Sequence, residues 1–163
     1  MRRILAPVLA LILLLTSGGL AEVLCEDGIA MTDECIVEFG CDYYSTDEVA
    51  LYLHAFRELP PNYITKDQAL SLGWDRDAGN LWTVAYGCAI GGDIFLNLEG
   101  LLPDDGERQW YECDVNYSGG YRGWERLCFS SDGLIYYTGD HYESFEPMYE
   151  GWYDNDDGYV DGY

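Results

Sequence analysis

Apolar residues in the first half of the chain recur at helical spacing. Ser45 followed three residues later by Glu48 is a helix-capping pattern, and the apolar positions after it lie on one helix face: Val49, Tyr52, Leu53 and Phe56. Pro60 ends this predicted helix. A second helix is predicted to begin at a capping Thr65. Residues 75–87 are predicted to form either a loop or a short third helix.

The second half alternates between short apolar runs and turn-forming residues, which is typical of antiparallel strands. An apolar strand is predicted at Ala89–Phe95, followed by a loop at 96–100. Three further strand-like runs are separated by Gly119-Gly120 and by Ser131-Asp132-Gly133, and they cover 111–117, Arg126–Ser130 and Leu134–Thr138. Helices followed by an antiparallel sheet make an α+β domain.

The two ends of the chain differ from its centre in composition. Arg2 and Arg3 precede an apolar run shorter than the roughly 20 residues needed to span a bilayer, and small residues follow up to Ala21. We therefore expect residues 1–21 to be a cleaved signal peptide and the mature protein to be secreted and extracellular. The remaining chain divides into an acidic cysteine-containing extension, a main domain and an acidic tail: residues 22–42, 43–149 and 150–163.

Six cysteines in an exported chain predict disulfide bonds, whose pairing the sequence leaves open. Side chains alternate between the faces of a strand, so a bond between Cys113 and Cys128 is disfavoured if Glu112 and Arg126 face each other. The acidic extension, without clear periodicity, contains three cysteines: Cys25, Cys35 and Cys41. We expect disulfides to fix this extension, with at least one bond reaching the main domain.

The net charge of −22 limits the kinds of partner. Broad nucleic-acid-binding surfaces neutralise phosphates with Lys and Arg, so this composition excludes such a surface. Nucleic acid could be bound only through one local positive site. Lys66, the chain's single lysine, stands in the first turn of the second predicted helix, where the helix dipole mildly disfavours a cation.

Candidate chemistry is concentrated between Trp110 and His141. Glu112 lies on a predicted strand, Arg122 lies in or near the turn, and Arg126 begins the next strand. If the hairpin brings Arg126 opposite Glu112, a carboxylate and a guanidinium share one sheet face. A carboxylate base, an imidazole acid and arginines for the phosphoryl oxygens suit metal-free cleavage of a phosphodiester beside a 2′-hydroxyl. Taken alone, the pattern is weak, and surface charge on a small sheet is the favoured interpretation.

Two other features have simpler interpretations. His54 lies off the apolar helix face and is expected to be solvent-exposed. In the tail, Asn155, Asp157 and Gly158 partly fit a calcium loop, but the first ligand position is Tyr153 and no closing glutamate follows. The default expectation is an acidic tail that is flexible or covers the sheet.

Several sequence blocks together resemble one family. They read LPPNYITKDQALSLGW, IGGDIF, NLEGLLP and SSDGLIYYTGDHYESF, together with the hairpin at 110–126. In order and spacing, from about residue 45 to residue 145, they are similar to the barnase-like bacterial guanyl-specific ribonucleases of the microbial ribonuclease family. The resemblance implies three N-terminal helices packed on a five-stranded antiparallel sheet. It also implies a monomer without cofactor or metal that cleaves single-stranded RNA after guanosine, giving a 2′,3′-cyclic phosphate that is then hydrolysed. Family members are often paired with a barstar-like inhibitor protein.

The resemblance assigns roles to individual residues. Glu112 falls on the family's general base and His141 on its general acid. Its phosphate-binding cations correspond to Lys66, Arg122 and Arg126. The guanine site corresponds to Leu96, Asn97, Leu98, Glu99 and the neighbouring aromatic Tyr142. Structural roles are expected for Asp114, which would hold Arg122 or Arg126, and for a pair of Arg108 and Asp132. Asp93 would support Lys66 or Glu112, or be purely structural.

One departure from the family pattern concerns substrate binding. Leu98 stands where the family's guanine loop has an arginine, so part of the catalytic efficiency is in doubt. Guanine recognition through the loop's backbone N–H groups and Glu99 does not need that arginine. The runner-up hypothesis is therefore a catalytically weakened member that acts as a binding module for a basic protein. A third, a toxin aimed at competitors, uses the same chemistry in another role.

Overall fold

The computed structural model describes residues 23–26 and 28–151. The predicted signal peptide and calcium-like tail segment lie outside these residues. The helices are α1 at Thr46–Phe56, α2 at Lys66–Ser71 and α3 at Leu81–Val84, with a 3₁₀ turn at Arg76–Ala78. The strands are β1 Leu24–Glu26, β2 Ile29–Met31, β3 Ile36–Glu38, β4 Tyr63–Ile64, β5 Ala89–Phe95, β6 Trp110–Asp114, β7 Arg126–Ser130, β8 Leu134–Thr138 and β9 Glu146–Glu150. Within the described ranges, no helix has the length and apolar character needed to cross a membrane.

The two predicted helix starts are confirmed. The Ser45 hydroxyl accepts from the backbone N–H of Glu48 at the start of α1. Thr65 and Gln68 form a complete capping box at α2, which satisfies two backbone donors that a helix start leaves without partners. Between residues 75 and 87 the chain forms the 3₁₀ turn and the four-residue α3, so the third-helix alternative is the one observed.

Among the described residues, the main sheet has six strands in the order β4-β5-β6-β7-β8-β9. All neighbours are antiparallel except β4 and β5, which pair in parallel. The prediction of an α+β fold is confirmed. The expected sheet of five antiparallel strands was wrong in its strand number and in the parallel pairing of β4 with β5. The two-residue β4 is too short to show any periodicity, and β9 carries glutamates at both ends and Pro147, so neither has a strand pattern in the sequence.

The β6–β7 register corrects one predicted contact. Arg126 pairs with Asp114, and Glu112 pairs with Cys128, so Arg126 is not directly opposite Glu112. The predicted sharing of one sheet face still holds, because residues two apart in a strand point to the same side. Cys113 pairs with Leu127 and faces away from Cys128.

Residues 24–38 form a separate three-stranded antiparallel sheet, which was not predicted. Its buried residues Ala30 and Val37 pack on Leu51 and Tyr52 of α1. On its other side α1 contributes to the main core, where Val49, Ala50 and Leu53 contact residues of the central strands such as Cys113, Leu127 and Ile135. The helix is thus buried from two sides, and this explains why Leu51, off the predicted apolar face, is fully buried.

All six cysteines are free thiols in the structure, which in this respect differs from the prediction of disulfides. The extension is fixed instead by packing against α1 and by hydrogen bonds. The Tyr52 hydroxyl accepts from the N–H of Gly40 at 3.0 Å, and the Tyr43 hydroxyl accepts from the N–H of Glu38 at 2.7 Å. Burial raises the pKa of the Cys113 thiol well above its ordinary value.

His54 is partly buried, and its ring stacks on Tyr149 with the centroids 4.2 Å apart. The prediction of a solvent-exposed histidine was therefore wrong. Burial lowers the pKa of His54, because the charged imidazolium loses water contacts. No sequence pattern indicates this contact, since β9 has no recognisable strand pattern.

Candidate active site

A cleft of about 580 Å³ lies over the face of the main sheet that carries Glu112. The five residues predicted to be catalytic all line it: Lys66, Glu112, Arg122, Arg126 and His141. The five predicted guanine-site residues line the same cleft: Leu96, Asn97, Leu98, Glu99 and Tyr142. They come from α2, from β6 and β7, and from the loops after β5, β6 and β8, so the fold joins segments that are far apart in the sequence.

Glu112 is a buried carboxylate with two donors. Lys66 Nζ contacts Oε1, and the hydroxyl of Tyr142 donates to Oε2 at 2.5 Å. Burial alone would raise the pKa of Glu112, but the hydrogen bonds from Lys66 and Tyr142 and the nearby positive charges outweigh it and lower this pKa below its ordinary value. Glu112 is therefore ionised at neutral pH and is able to accept a proton.

The start of α2 aims Lys66 at Glu112. Lys66 follows the capping Thr65 directly, and its backbone N–H donates to the carboxylate of Asp93 at 3.0 Å. Asp93 is also the β5 neighbour of Glu112. Of the roles considered for Asp93, the contacts show support of Lys66. Asp93 provides this support by binding the Lys66 backbone N–H, not its side chain.

Asp114 holds both arginines, as predicted. This buried carboxylate accepts from Arg122 Nε at 2.7 Å and from Arg122 Nη2 at 2.6 Å, in a two-point arrangement. Arg126 Nε lies 2.9 Å from Asp114 Oδ1, close enough for an ion pair but without the alignment of a hydrogen bond. The Arg122 guanidinium also lies 5.9 Å from the ring centre of Trp74. Both cations are therefore fixed before any ligand arrives.

His141 is exposed at the rim of the cleft, in the loop after β8. His141 and Tyr142 both have positive φ, 61° and 75°, a backbone conformation that residues other than glycine adopt rarely. Asp140 stabilises this loop, because its carboxylate accepts from the N–H groups of Glu143 and Ser144, each at 3.0 Å. Hydrogen bonds from Ser144 lower the pKa of Asp140 to about 2.

The predicted guanine loop is organised by Asn97. Its side-chain amide donates to the carbonyl of Leu102 at 2.9 Å, and its side-chain carbonyl accepts from the Leu102 N–H at 3.0 Å. The Asn97 side chain therefore shapes the loop from within. Leu98 is 80% exposed and Glu99 is also exposed, and both line the cleft.

Arg108 and Asp132 form the predicted structural pair. Arg108 donates from Nε at 2.8 Å and from Nη2 at 2.7 Å to the Asp132 carboxylate. It also donates to the Pro103 carbonyl at 3.0 Å, which links the segment after the guanine loop to the β7–β8 turn. The hydrogen bond from Arg108 lowers the pKa of Asp132 to about 2.

Several cleft residues were missed by the sequence analysis. The hydrogen bond from Tyr142 to Glu112 was not foreseen, although Tyr142 itself was assigned to the site. Trp74, Tyr121 and Trp124 also line the cleft. A usable signal existed for Trp124, because a large aromatic residue stands between two arginines in a turn.

Within the described part of the chain, no group of three or more His, Cys, Asp or Glu side chains is arranged to hold a metal ion.

The family model described as ribonuclease matches residues 46–149, a range that contains every residue of this cleft. The chain belongs to the ribonuclease family. This ribonuclease is 54% identical over 99 residues to a ribonuclease of Heyndrickxia coagulans, a match that covers 61% of this chain and 91% of the relative. A ribonuclease of Bacillus pumilus is also 54% identical over 99 residues, which cover 61% of each chain.

A third relative of this ribonuclease is more distant. Guanyl-specific ribonuclease St of Saccharopolyspora erythraea is 46% identical over 55 residues, which are 33% of this chain and 54% of the relative. The family expected from the sequence blocks is therefore confirmed.

Proposed function

We propose that the protein is a secreted endoribonuclease that cleaves single-stranded RNA after guanosine, in two steps and without a metal ion. The observation that supports this most strongly is the ionised, buried Glu112 with Lys66, Arg122 and Arg126 fixed around one cleft and His141 on its rim. Secretion is supported by the basic start, short apolar run and small residues of segment 1–21.

In the first step Glu112 removes the proton of the guanosine 2′-hydroxyl. Its carboxylate has lone pairs beyond those used by Lys66 and Tyr142, so it is able to accept this additional proton. The 2′-oxygen then attacks phosphorus, and the bond to the 5′-oxygen of the next nucleotide breaks. His141 gives its proton to that leaving oxygen, and the products are a guanosine 2′,3′-cyclic phosphate and a free 5′-hydroxyl.

In the second step the two residues exchange roles. The now neutral His141 takes a proton from water, the water oxygen attacks the cyclic phosphate, and protonated Glu112 returns a proton to the 2′-oxygen. The product is a guanosine 3′-phosphate, and both residues regain their starting states. This symmetry predicts a bell-shaped pH dependence of cleavage.

Three cations stabilise the charge that builds on the phosphoryl oxygens. The charged residues that line the cleft are four basic ones, Lys66, Arg76, Arg122 and Arg126, and two acidic ones, Glu99 and Glu112, so basic groups are in excess there although the whole protein is strongly negative. Because Asp114 fixes both guanidinium groups in advance, little reorganisation is needed at the transition state. A metal ion is not required for this charge stabilisation.

Guanine recognition is assigned to the loop at 96–99. Its backbone N–H groups and the Glu99 carboxylate suit the guanine edge, where the carboxylate would accept from the N1 and N2 hydrogens. The exposure of Glu99 at the cleft and the internal bracing by Asn97 support this assignment, as does the guanyl specificity in the name of the Saccharopolyspora relative.

The test is a panel of dinucleotides with EDTA present. We expect GpA and GpU to be cleaved to guanosine 2′,3′-cyclic phosphate and ApA and UpA to be cleaved far more slowly. Equal rates on all four would contradict guanine specificity. If the folded protein cleaved none of them and instead bound a basic protein, the binding-module hypothesis would replace this one.

A further inference from the structure

The outer face of the N-terminal sheet carries three exposed aliphatic side chains. Ile29 and Met31 of β2 are each 38% exposed, and Ile36 of β3 is 63% exposed. Met31 pairs directly with Ile36, and Ile29 lies two positions from Met31 on the same face, so the three side chains are neighbours. These three residues are called the aliphatic patch below.

The strands of this sheet are apolar on both faces. An antiparallel sheet with one face in water normally alternates apolar residues inward with polar residues outward. In β2, however, the fully buried Ala30 stands between two exposed apolar residues, and in β3 the exposed Ile36 precedes the fully buried Val37. The inner face is covered by α1. The outer face therefore has the composition of a surface that a second partner covers.

The aliphatic patch lies on a fixed platform. At the turn between β2 and β3, the Thr32 hydroxyl accepts from the N–H of Cys35 at 3.1 Å, and the Thr32 N–H donates to the Cys35 carbonyl at 2.8 Å. At the other end of β3, the N–H of Phe39 donates to the Gly28 carbonyl at 2.7 Å. A partner thus meets a preformed surface, and little affinity is lost to ordering of the sheet.

Acidic residues surround the aliphatic patch. Glu38 is exposed on the same face of β3 as Ile36, and Asp33 and Glu34 are exposed in the turn between β2 and β3. These three residues are called the acidic rim. No lysine or arginine occurs between residues 22 and 56, so basic residues close in sequence do not neutralise the rim. The surface is therefore apolar at its centre and negative around it.

Like charge disfavours three ways of covering this surface. A second copy of the chain would bring an identical acidic rim against this one, and residues 150–163 are themselves acidic. A membrane rich in anionic lipid repels the rim as well. A partner that carries aliphatic side chains flanked by lysine or arginine satisfies both the patch and the rim.

The aliphatic patch and the candidate active site lie on opposite sides of the protein. Glu112 faces the cleft, whereas the adjacent Cys113 points to the other face of the main sheet and contacts α1. The N-terminal sheet packs on the far side of α1. A helix layer and a sheet layer, together about 20 Å thick, therefore separate the patch from the cleft. The strands β1–β3 also precede the range 46–149 that matches the ribonuclease family.

We propose that the aliphatic patch and the acidic rim form a docking site for a basic amphipathic helix of another protein. A helix places lysine or arginine along both flanks of an aliphatic stripe, whereas a strand would separate the two kinds of side chain onto opposite faces. Docking there attaches the protein to a basic partner and leaves the cleft open. The site does not depend on the proposed ribonuclease function.

The test measures binding of a fluorescently labelled peptide made of two Leu-Lys-Lys-Leu-Leu-Lys-Leu repeats, which is an amphipathic helix with lysines beside a leucine stripe. A control peptide contains the same residues in an order that spreads leucine and lysine around the helix. Fluorescence anisotropy gives Kd for the full-length wild type, for Ile36→Gln and for Leu70→Gln. Leu70 is the matched control, since it is 56% exposed but lies on α2.

We expect the amphipathic peptide to bind the wild type more tightly than the reordered peptide of equal charge. Ile36→Gln weakens this binding by about fivefold to thirtyfold, because the docked helix no longer buries an aliphatic side chain there. Leu70→Gln leaves Kd unchanged. The rate of GpA cleavage is the same with and without the bound peptide.

A second pair of variants tests the acidic rim. Glu34→Gln is expected to weaken binding by about twofold to fivefold at low salt, and this difference disappears as salt screens the rim. Glu107→Gln is the control, because it removes an equal charge from an exposed position before β6. Equal losses in the two variants would show attraction to net charge and would reject the rim.

Equal affinity of wild type and Ile36→Gln, or equal losses in Ile36→Gln and Leu70→Gln, would overturn the docking site. Equal binding of the two peptides would do so as well. Sedimentation velocity at rising protein concentration tests a second copy as the occupant: a dimer that Ile36→Gln dissociates would contradict the proposal. Because none of these binding measurements requires cleavage, failure of the proposed ribonuclease function would appear only in the GpA assay.

Discussion

The hydroxyl of Tyr142 donates a 2.5 Å hydrogen bond to Oε2 of Glu112, while Lys66 contacts the other carboxylate oxygen. Tyr142 also stacks on Phe95, with ring centroids 5.1 Å apart, so its hydroxyl is fixed over the sheet. The residue assigned from the sequence to the guanine site therefore also controls the candidate general base.

This contact predicts a shift in the pH dependence of cleavage. The pKa of Glu112 is lowered, so activity is present above that pKa and is lost as pH falls through it. Tyr142→Phe removes one of the lowering hydrogen bonds, and the pKa of Glu112 rises. We expect the acid limb of kcat/KM on GpA to move to higher pH. At neutral pH, where Glu112 stays ionised, kcat/KM of Tyr142→Phe on GpA falls by less than about tenfold.

Tyr111→Phe is the control for that measurement. Tyr111 precedes Glu112 in β6 but points to the opposite sheet face, where it stacks on Phe129. Its substitution is expected to leave the acid limb in place. An unchanged acid limb in Tyr142→Phe would show that the hydrogen bond does not control the base.

Removal of the Asp114 charge is expected to reduce both stability and activity. Asp114→Asn leaves two closely held guanidinium groups without their shared counter-charge, and breaking such a buried pair costs about 3–5 kcal/mol of unfolding free energy. Urea denaturation at neutral pH measures the stability. The kcat/KM on GpA falls as well, because Arg122 and Arg126 lose their fixed positions. A fully stable and active variant would contradict this positioning role.

Asp132→Asn is a useful comparison, because it removes an acidic partner of arginine outside the cleft. The Asp132 side chain is 49% exposed, so solvent screening limits the expected loss to about 1 kcal/mol. Since the pKa of Asp132 is lowered to about 2, this contribution is present above the ordinary aspartate pKa and is lost as pH falls toward 2. The stability difference between wild type and variant therefore shrinks over that range.

Leu98→Arg is expected to raise catalytic efficiency. Leu98 is exposed in the cleft, and an arginine there adds a charged hydrogen bond worth about 1.5–3 kcal/mol, or roughly tenfold to a hundredfold in kcat/KM. Leu101→Arg is the control, since Leu101 is 53% exposed in the same segment but does not line the cleft. Equal gains in the two variants would point to net charge rather than to a local contact.

The N-terminal sheet predicts a stability effect that is separate from catalysis. Val37 is fully buried against α1, whereas its neighbour Ile36 is 63% exposed on the other face. Val37→Ala is expected to lower the unfolding free energy by about 2 kcal/mol, and Ile36→Ala by less than about 0.5 kcal/mol. Cleavage of GpA by the folded proteins stays unchanged. Equal stability of the two variants would mean that the sheet does not stabilise α1.

The sequence predicted the parts of the fold that have strong local signals. The capping residues Ser45 and Thr65 identified two helix starts, and the turns at Gly119-Gly120 and Asp132-Gly133 separated β6, β7 and β8. Residues 24–38 form strands of only three residues each, too short for alternation to be recognised. Their stability comes from Leu51 and Tyr52 of α1, which no local pattern reveals.

The candidate site shows the same division. From the sequence, a shared face for Glu112 and Arg126 was expected only if the hairpin brought them opposite each other. The register instead pairs Glu112 with Cys128, and register depends on the whole hairpin. The bond from Tyr142 to Glu112 joins residues 30 positions apart. It exists because the loop after β8 folds back over the sheet at the positive-φ residues His141 and Tyr142, a conformation that their residue types do not predict.

The proposed general acid can be tested with the two histidines of the chain. His141→Ala and His54→Ala are compared on GpA and on guanosine 3′-(4-nitrophenyl phosphate), whose leaving group needs no protonation. We expect His141→Ala to lose about a hundredfold to ten-thousandfold in kcat/KM on GpA and far less on the nitrophenyl ester. His54→Ala, once folded, keeps its activity on both. Equal losses on the two substrates, or full activity of His141→Ala on GpA, would contradict a general-acid role for His141.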